Sequence, residues 1–160
     1  MEPHERPLRE SSSILDQDFS AGVLVSRAIP NATCVLTKPF TNMTLDDFFL
    51  GFENSKRLFE AVRTFIDNVG PSQLRISKSQ IAFWRRKAVA RVWIPARYLG
   101  GNTAPLVLTL SFDSRDASPR WKEIVEPAPG RFTHHLELYS IADLDEEVRN
   151  WLQIAWKNAA

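Results

Sequence analysis

Cysteine is almost absent from this chain of 160 residues, and so are long apolar runs. The single cysteine, Cys34, cannot form an internal disulfide or a Cys-x-x-Cys zinc site, and its apolar surroundings predict a structural residue. No run approaches the roughly 20 apolar residues of a membrane-spanning helix, and residues 1–13 lack the apolar core of a signal peptide. We therefore expect a cytoplasmic protein with no membrane partner.

The motifs that usually specify a reaction are missing as well. The chain has no Gly-x-Ser-x-Gly, no Gly-x-x-x-x-Gly-Lys-Ser/Thr and no Gly-x-Gly-x-x-Gly, which argues against serine hydrolases, P-loop enzymes and dinucleotide-binding enzymes. It also lacks the Glu-x-Lys that a metal-dependent nuclease would place on a strand near an acidic residue. We predict no cofactor, no metal site and no catalytic residue from motifs.

Acidic residues are absent from the middle of the chain. Positions 68–112 contain no Asp or Glu but seven basic residues, so the formal net charge of +1 hides a dipolar distribution. These seven are Arg75, Lys78, Arg85, Arg86, Lys87, Arg91 and Arg97. Because alternate side chains of an antiparallel sheet share one surface, we predict that several of them gather on one sheet face or rim.

Two interpretations of this basic segment are open. One is an ordinary solvated surface. The other is a site for nucleic acid, a phosphate-bearing ligand or an acidic protein, with Trp84 and Trp93 available to stack on bases. The candidate anion contacts are Lys78, Arg85, Arg86, Lys87, Arg97 and, from a later loop, Lys122.

Residue patterns predict one domain with helices at both ends. Residues 1–20 lack apolar periodicity and are predicted to be a flexible arm, and residues 21–160 a single domain. Short apolar segments occur at 22–29 and 34–36. Three helices are predicted. The first begins at a capping box, Thr44-x-x-Asp47, and the second is an apolar stripe over 55–69 that stops at Gly70-Pro71. The third is a C-terminal helix that follows a second capping box, Asp143-x-x-Glu146.

Between these helices the apolar period changes to two. The alternating segments are 74–77, 81–84, 88–94, 106–112, 121–125 and 132–139. Short links between consecutive strands favour an antiparallel meander. The predicted fold is therefore α+β, with an antiparallel sheet of about five to six strands backed by N-terminal and C-terminal helices.

Two adjacent histidines lie in the last predicted strand. Their side chains point to opposite faces, so His134 and His135 cannot both bind one metal ion from a regular strand. His134 shares its side with apolar neighbours, which predicts a core histidine. His135 shares its side with Glu137, and these two with Ser77 of the Ser77-Lys78 turn form a candidate polar site, for which an acid/base role is a second interpretation.

Several short motifs occur in the order found in a known family. They are Phe48-Phe49-x-Gly51, Leu58-Phe59-x-Ala61-Val62, Gly70-Pro71, Ser77-Lys78-x-x-Ile81-Ala82-Phe83, Arg131-Phe132-Thr133-His134-His135, Asp143-Leu144-Asp145-x-Glu147-Val148 and Trp151-Leu152-x-x-Ala155-Trp156. In these, residues from about 44 to 160 resemble a bacterial family known only as domain of unknown function 5655. The resemblance implies a sheet backed by helices and transfers no catalytic residue.

The predicted layout is also similar, more loosely, to frataxin-like, double-wing domains, of which some are proposed to bind DNA and others to handle iron. Asp46, Asp47 and Glu53 would suit an iron role, but the sheet segment lacks acids. We expect a non-catalytic binding module for nucleic acid or another anionic partner. The alternatives are a small enzyme that uses His135, Glu137 and the Ser77-Lys78 loop, and a protein-interaction domain such as a homodimer.

Overall fold

The computed structural model describes residues 42–160. The predicted arm over 1–20, the apolar segments at 22–29 and 34–36, and Cys34 lie outside the described residues. The helices are α1 (Leu45–Phe49), α2 (Glu53–Val69) and α3 (Glu146–Asn158). The strands are β1 (Gln73–Ile76), β2 (Ile81–Trp84), β3 (Ala88–Trp93), β4 (Leu106–Phe112), β5 (Glu123–Ala128) and β6 (Arg131–Leu138).

The first two helices begin and end near the predicted residues. The Thr44 hydroxyl accepts a hydrogen bond from the Asp47 backbone N–H (3.1 Å), and an Asp47 carboxylate oxygen accepts one from the Thr44 N–H (3.0 Å), which confirms the capping box. Helix α2 ends at Val69, directly before Gly70 and Pro71. Its apolar stripe supplies four buried side chains to the core.

The predicted capping box of the C-terminal helix is wrong. Helix α3 begins after Asp145, whose carboxylate accepts a hydrogen bond from the Val148 N–H at 3.2 Å. Asp143 forms a capping box with Ser140 instead, on a short 3-10 turn that precedes the helix. The chain therefore makes one extra turn between β6 and α3. Asp143, two positions before the N-cap residue Asp145, caps that turn.

The sheet has six antiparallel strands in the order β1-β2-β3-β4-β6-β5, so the α+β prediction is confirmed but the simple meander is not. Strand β6 lies between β4 and β5. Its apolar alternate positions are buried, whereas β5 carries Pro127 and exposed Glu123 and Glu126. A proline and charged side chains are tolerated at a sheet edge, which explains why β5 takes the outer position of this hairpin.

The hydrophobic core lies between one face of the sheet and the helices. The rings of Phe59 on α2 and Phe83 on β2 stack with centroids 5.8 Å apart. The ring of Trp121, which precedes β5, lies 4.1 Å from that of Trp151 on α3. Strand β4 runs through the centre of this core with Leu106, Leu108 and Leu110 fully buried. The opposite face of the sheet is therefore the side on which polar strand positions collect.

Candidate functional site

One face of the sheet points away from the three helices of residues 42–160, and we call it the open face. Ala82, Val107 and Thr109 on this face are nevertheless buried, at 2%, 3% and 6% exposure. One row of side chains, fixed by strand register, crosses it from β1 to β5. The row is Arg75, Ala82, Arg91, Thr109, His135 and Glu123. The open face is therefore basic over β1 to β3 and acidic at β5.

Arginines and tryptophans alternate on the basic half. The guanidinium carbon of Arg75 lies 3.9 Å from the centroid of the Trp84 ring, which is a cation-π contact. Arg91 lies in the same row, and Trp93 follows it on the same face of β3. Arg75 and Arg91 belong to the acid-free segment but are not among the anion contacts predicted from the sequence. The sequence feature that could have indicated them is their place in β1 and β3, where they alternate with the core-facing residues.

The β2-β3 turn adds three of the candidate cations directly after Trp84. Arg85, Arg86 and Lys87 are all exposed. The guanidinium of Arg85 lies over the Trp156 ring at 3.8 Å and donates to the Trp156 carbonyl at 3.2 Å. The Arg86 N–H donates to the Ala159 carbonyl at 3.1 Å, so Arg85 and the Arg86 backbone both attach the turn to the helical side of the sheet.

Lys78 and Arg97 lie at the other end of the sheet. Arg97 donates hydrogen bonds to the carbonyl oxygens of Lys78 (3.2 Å) and Phe48, and its guanidinium lies 4.5 Å from the Phe48 ring centroid. The guanidinium of Arg97 is engaged by these two carbonyls and the ring. Arg97 is therefore a structural residue that attaches α1 to the sheet. Five of the six candidate cations therefore divide between the opposite ends of β2 and β3, and the six do not form one rim.

His135 lies near the middle of the open face. Its Nδ1 is 2.9 Å from the Thr109 hydroxyl, and its ring meets Trp93 edge-on with centroids 6.4 Å apart. Burial lowers the pKa of His135, and the charge of Glu123 opposes this shift only in part. The imidazole is therefore neutral at physiological pH and can both donate and accept a hydrogen bond.

Glu137 belongs to the same face and has two polar neighbours. One carboxylate oxygen lies 3.6 Å from Lys122 Nζ, and the other accepts a hydrogen bond from the Tyr139 hydroxyl at 3.1 Å. This hydrogen bond is the main cause of the raised pKa of Tyr139, so its phenol stays protonated. Lys122 thus sits beside an acidic residue and away from the other candidate cations.

Ser77 does not join His135 and Glu137. Its hydroxyl donates to the Gln80 carbonyl at 2.8 Å and accepts from the Gln80 N–H at 3.1 Å, which closes the β1-β2 turn. Four strand spacings separate β1 from β6, or about 19 Å. The structure therefore brings together only two of the three residues of the candidate polar site.

His134 is the core histidine that the pattern predicts. It is fully buried, and its Nε2 accepts a hydrogen bond from the Asp116 N–H at 3.0 Å. The rings of Phe112 and Trp121 lie 4.8 and 4.9 Å from its centroid. Burial lowers its pKa. An interaction with the Phe132 backbone opposes that shift. Nδ1 itself has no partner that meets the geometry of a normal hydrogen bond.

The acids of the first helix are engaged in local contacts. Asp46 forms an ion pair with Lys56 at 2.7 Å, and Asp47 completes the capping box. Within residues 42–160 no group of three or more His, Cys, Asp or Glu side chains is arranged to hold a metal ion. In the same part of the chain no helix is long and apolar enough to span a bilayer.

Comparison with known proteins identifies one family. The model described as "Domain of unknown function (DUF5655)" matches residues 45–159, nearly the whole region from 44 to 160 in which the motifs occur. No curated protein and no solved structure matches the chain. The description of the matching family names no activity.

Proposed function

Since the chain belongs to the DUF5655 family, whose description names no activity, we propose a function from the open face: a non-catalytic module that binds single-stranded nucleic acid. The observation that carries the proposal is the alternation of Arg75 and Arg91 with Trp84 and Trp93 on a sheet face that no helix of residues 42–160 covers. Arginines neutralise phosphates, and aromatic rings stack on bases.

Two physical features favour a single strand over a duplex. Bases must be unpaired to stack on a side chain, and each stacked base contributes about 1–3 kcal/mol. Trp84 and Trp93 are half-buried and lie on neighbouring strands, so a strand of a few nucleotides could contact both. The segment over positions 68–112 carries seven cations and no carboxylate of its own, and a positive potential there would attract the phosphates.

The test is a salt titration with short labelled single strands of DNA and RNA, followed by fluorescence anisotropy from about 25 to 300 mM salt. The logarithm of the binding constant should fall linearly with the logarithm of salt concentration, by about 0.7 for each phosphate neutralised. Arg75→Gln should weaken binding to all sequences and reduce that slope by about 0.7.

The matched control is Arg57→Gln, which removes an exposed arginine from α2 on the helical side of the domain. It should leave affinity and salt slope unchanged. Absence of binding at the lowest salt, binding that ignores salt, or equal effects of the two substitutions would each contradict the proposal.

A protein-interaction role is a second candidate, favoured by exposed apolar side chains at one end of the sheet. They follow α1, β3 and β6, and all are more than half exposed: Leu50, Tyr98, Leu99, Tyr139 and Ile141. Analytical ultracentrifugation over a range of concentrations tests it for self-association. A monomer at every concentration would exclude a homodimer.

A further inference from the structure

Between the basic half of the open face and its acidic edge lies a group of aromatic and charged side chains that we call the tyrosine corner: Trp93, Tyr98, Lys122, Glu137 and Tyr139. The rings of Trp93 and Tyr98 lie 6.5 Å apart at 48° to each other. Tyr98 and Tyr139 are 54% and 58% exposed. The strand register places Val107 between Trp93 and Glu137, so the two side chains stand about 10 Å apart, and Val107 beneath them is already covered.

The polar groups of the corner form an ordered array of acceptors and a donor. The Glu137 carboxylate has about four lone-pair sites, of which the Tyr139 hydroxyl uses one. Lys122 Nζ lies beside it at 3.6 Å, and the lysine side chain is 65% exposed. A flat ligand edge entering from solvent would therefore meet two acceptor oxygens and then an ammonium donor.

A guanine base carries the complementary array. Its Watson-Crick edge presents two neighbouring N–H donors, at N1 and N2, followed by the O6 acceptor. We propose that the tyrosine corner is a guanine site, in which Glu137 accepts from N1–H and N2–H, Lys122 donates to O6, and Trp93 and Tyr98 pack against the purine ring. The site rests on the proposed function where the guanine belongs to a bound strand, and a free guanine nucleotide offers the same chemistry.

Other bases fit the same groups less well. Adenine and cytosine place an acceptor next to their single amino group, and uracil and thymine place their one N–H between two carbonyl oxygens. Each would direct an acceptor at a carboxylate oxygen or leave that oxygen without a partner. Selectivity would therefore come from repulsion of the wrong base as well as from attraction of the right one.

The experiment compares three labelled single strands: all thymine, thymine with one central guanine, and the same strand with hypoxanthine, which lacks the N2 amino group. The guanine strand should bind about tenfold more tightly than the thymine strand, as expected for a bidentate base contact. Hypoxanthine should lose most of that gain. Glu137→Gln should bring the guanine-to-thymine ratio close to one, whereas Glu60→Gln, on the exposed side of α2, should preserve it.

A second arm measures tryptophan fluorescence with GMP and with AMP, which separates a free nucleotide from a strand as the source of the base. Equal affinity for the three strands would overturn the guanine site and leave the proposed function standing. A response to GMP that Glu137→Gln abolishes, without binding of any strand, would support the site and refute the nucleic-acid role. No response in either arm would overturn both.

Discussion

Acidification from about pH 7.5 to 5 should weaken the fold through two neighbouring histidines on opposite faces of β6. His134 is fully buried, and its Nε2 already accepts the Asp116 N–H, so protonation would place two donors against each other. On the open face, His135 is held next to Thr109, and burial disfavours its charged form. Both imidazoles are therefore neutral in the folded protein at neutral pH.

The sign and size of the effect follow from proton binding. An unfolded chain protonates its histidines near pH 6.5, and burial lowers the pKa of both His134 and His135 in the folded state. Below about pH 6.5 the unfolded state binds more protons, so the free energy of unfolding falls as pH falls. The limit is about 1.4 kcal/mol per pH unit for each histidine, and the loss ends below the folded pKa values.

The carboxylates do not obscure this interval. Although burial alone would raise the pKa of Asp116, hydrogen bonds from Trp121 and Ser118 hold it below its ordinary value, and the bond from Arg120 lowers the pKa of Asp145. Groups with lowered pKa values contribute stability above about pH 4 and lose it only in stronger acid. Between about pH 4.5 and 6.5 the slope therefore reports mainly on the histidines.

The assay is urea unfolding at a series of pH values, followed by tryptophan fluorescence, since Trp121 lies beside His134. His134→Gln offers an amide oxygen to the Asp116 N–H but cannot titrate, and His135→Gln serves as the equivalent on the open face. Each substitution should reduce the slope of stability against pH, and the double variant should be nearly flat. A double variant that keeps the slope of the unmodified protein would refute the reasoning.

Two further substitutions test the packing around α3. Gly70→Ala should cost about 1–3 kcal/mol in urea unfolding, because a methyl group there would lie 2.4 Å from the Trp156 ring. Gly100→Ala is the matched control, because a methyl group at Gly100 would meet no atom within 4 Å. Arg120→Ala should cost about 1–2 kcal/mol, and less at high salt, because Arg120 donates to the Asp145 and Glu147 carboxylates. Equal stability of the paired glycine variants, or an Arg120→Ala cost below about 0.3 kcal/mol, would contradict these estimates.

Local patterns predicted those elements whose causes are local. The period-three and period-four stripe of α2 and the Thr44 capping box each depend on residues within one or two turns, and both occur where expected. The alternation in β6 placed His134 in the core and His135 on the other face for the same reason. A side chain's face in a strand needs no knowledge of the neighbouring strand.

Features that depend on distant partners could not be predicted in this way. Either strand of the β5-β6 hairpin could pair with β4, and the hairpin pattern is the same in both cases. Strand β6 takes the inner position because β5 is the strand that tolerates the sheet edge. Arg97 looked like the other cations of its segment, yet the Phe48 carbonyl that it contacts comes from 49 positions earlier. Chemistry alone groups Ser77 with His135, and only strand order shows the four strand spacings between them.

The meaning of the acid-free segment changes once strand order is known. Because β1, β2 and β3 are neighbours, the segment's cations on alternate strand positions meet on one face, while those in turns are carried to opposite ends of the sheet. Arg75 and Arg91 thus share a row, and Glu123 closes the same row at β5. A strand bound on this face would keep its phosphates over the half that attracts them and direct its bases toward the half where carboxylates accept N–H groups. The charge gradient would therefore orient the strand, with its backbone toward β1 and its bases toward Glu137.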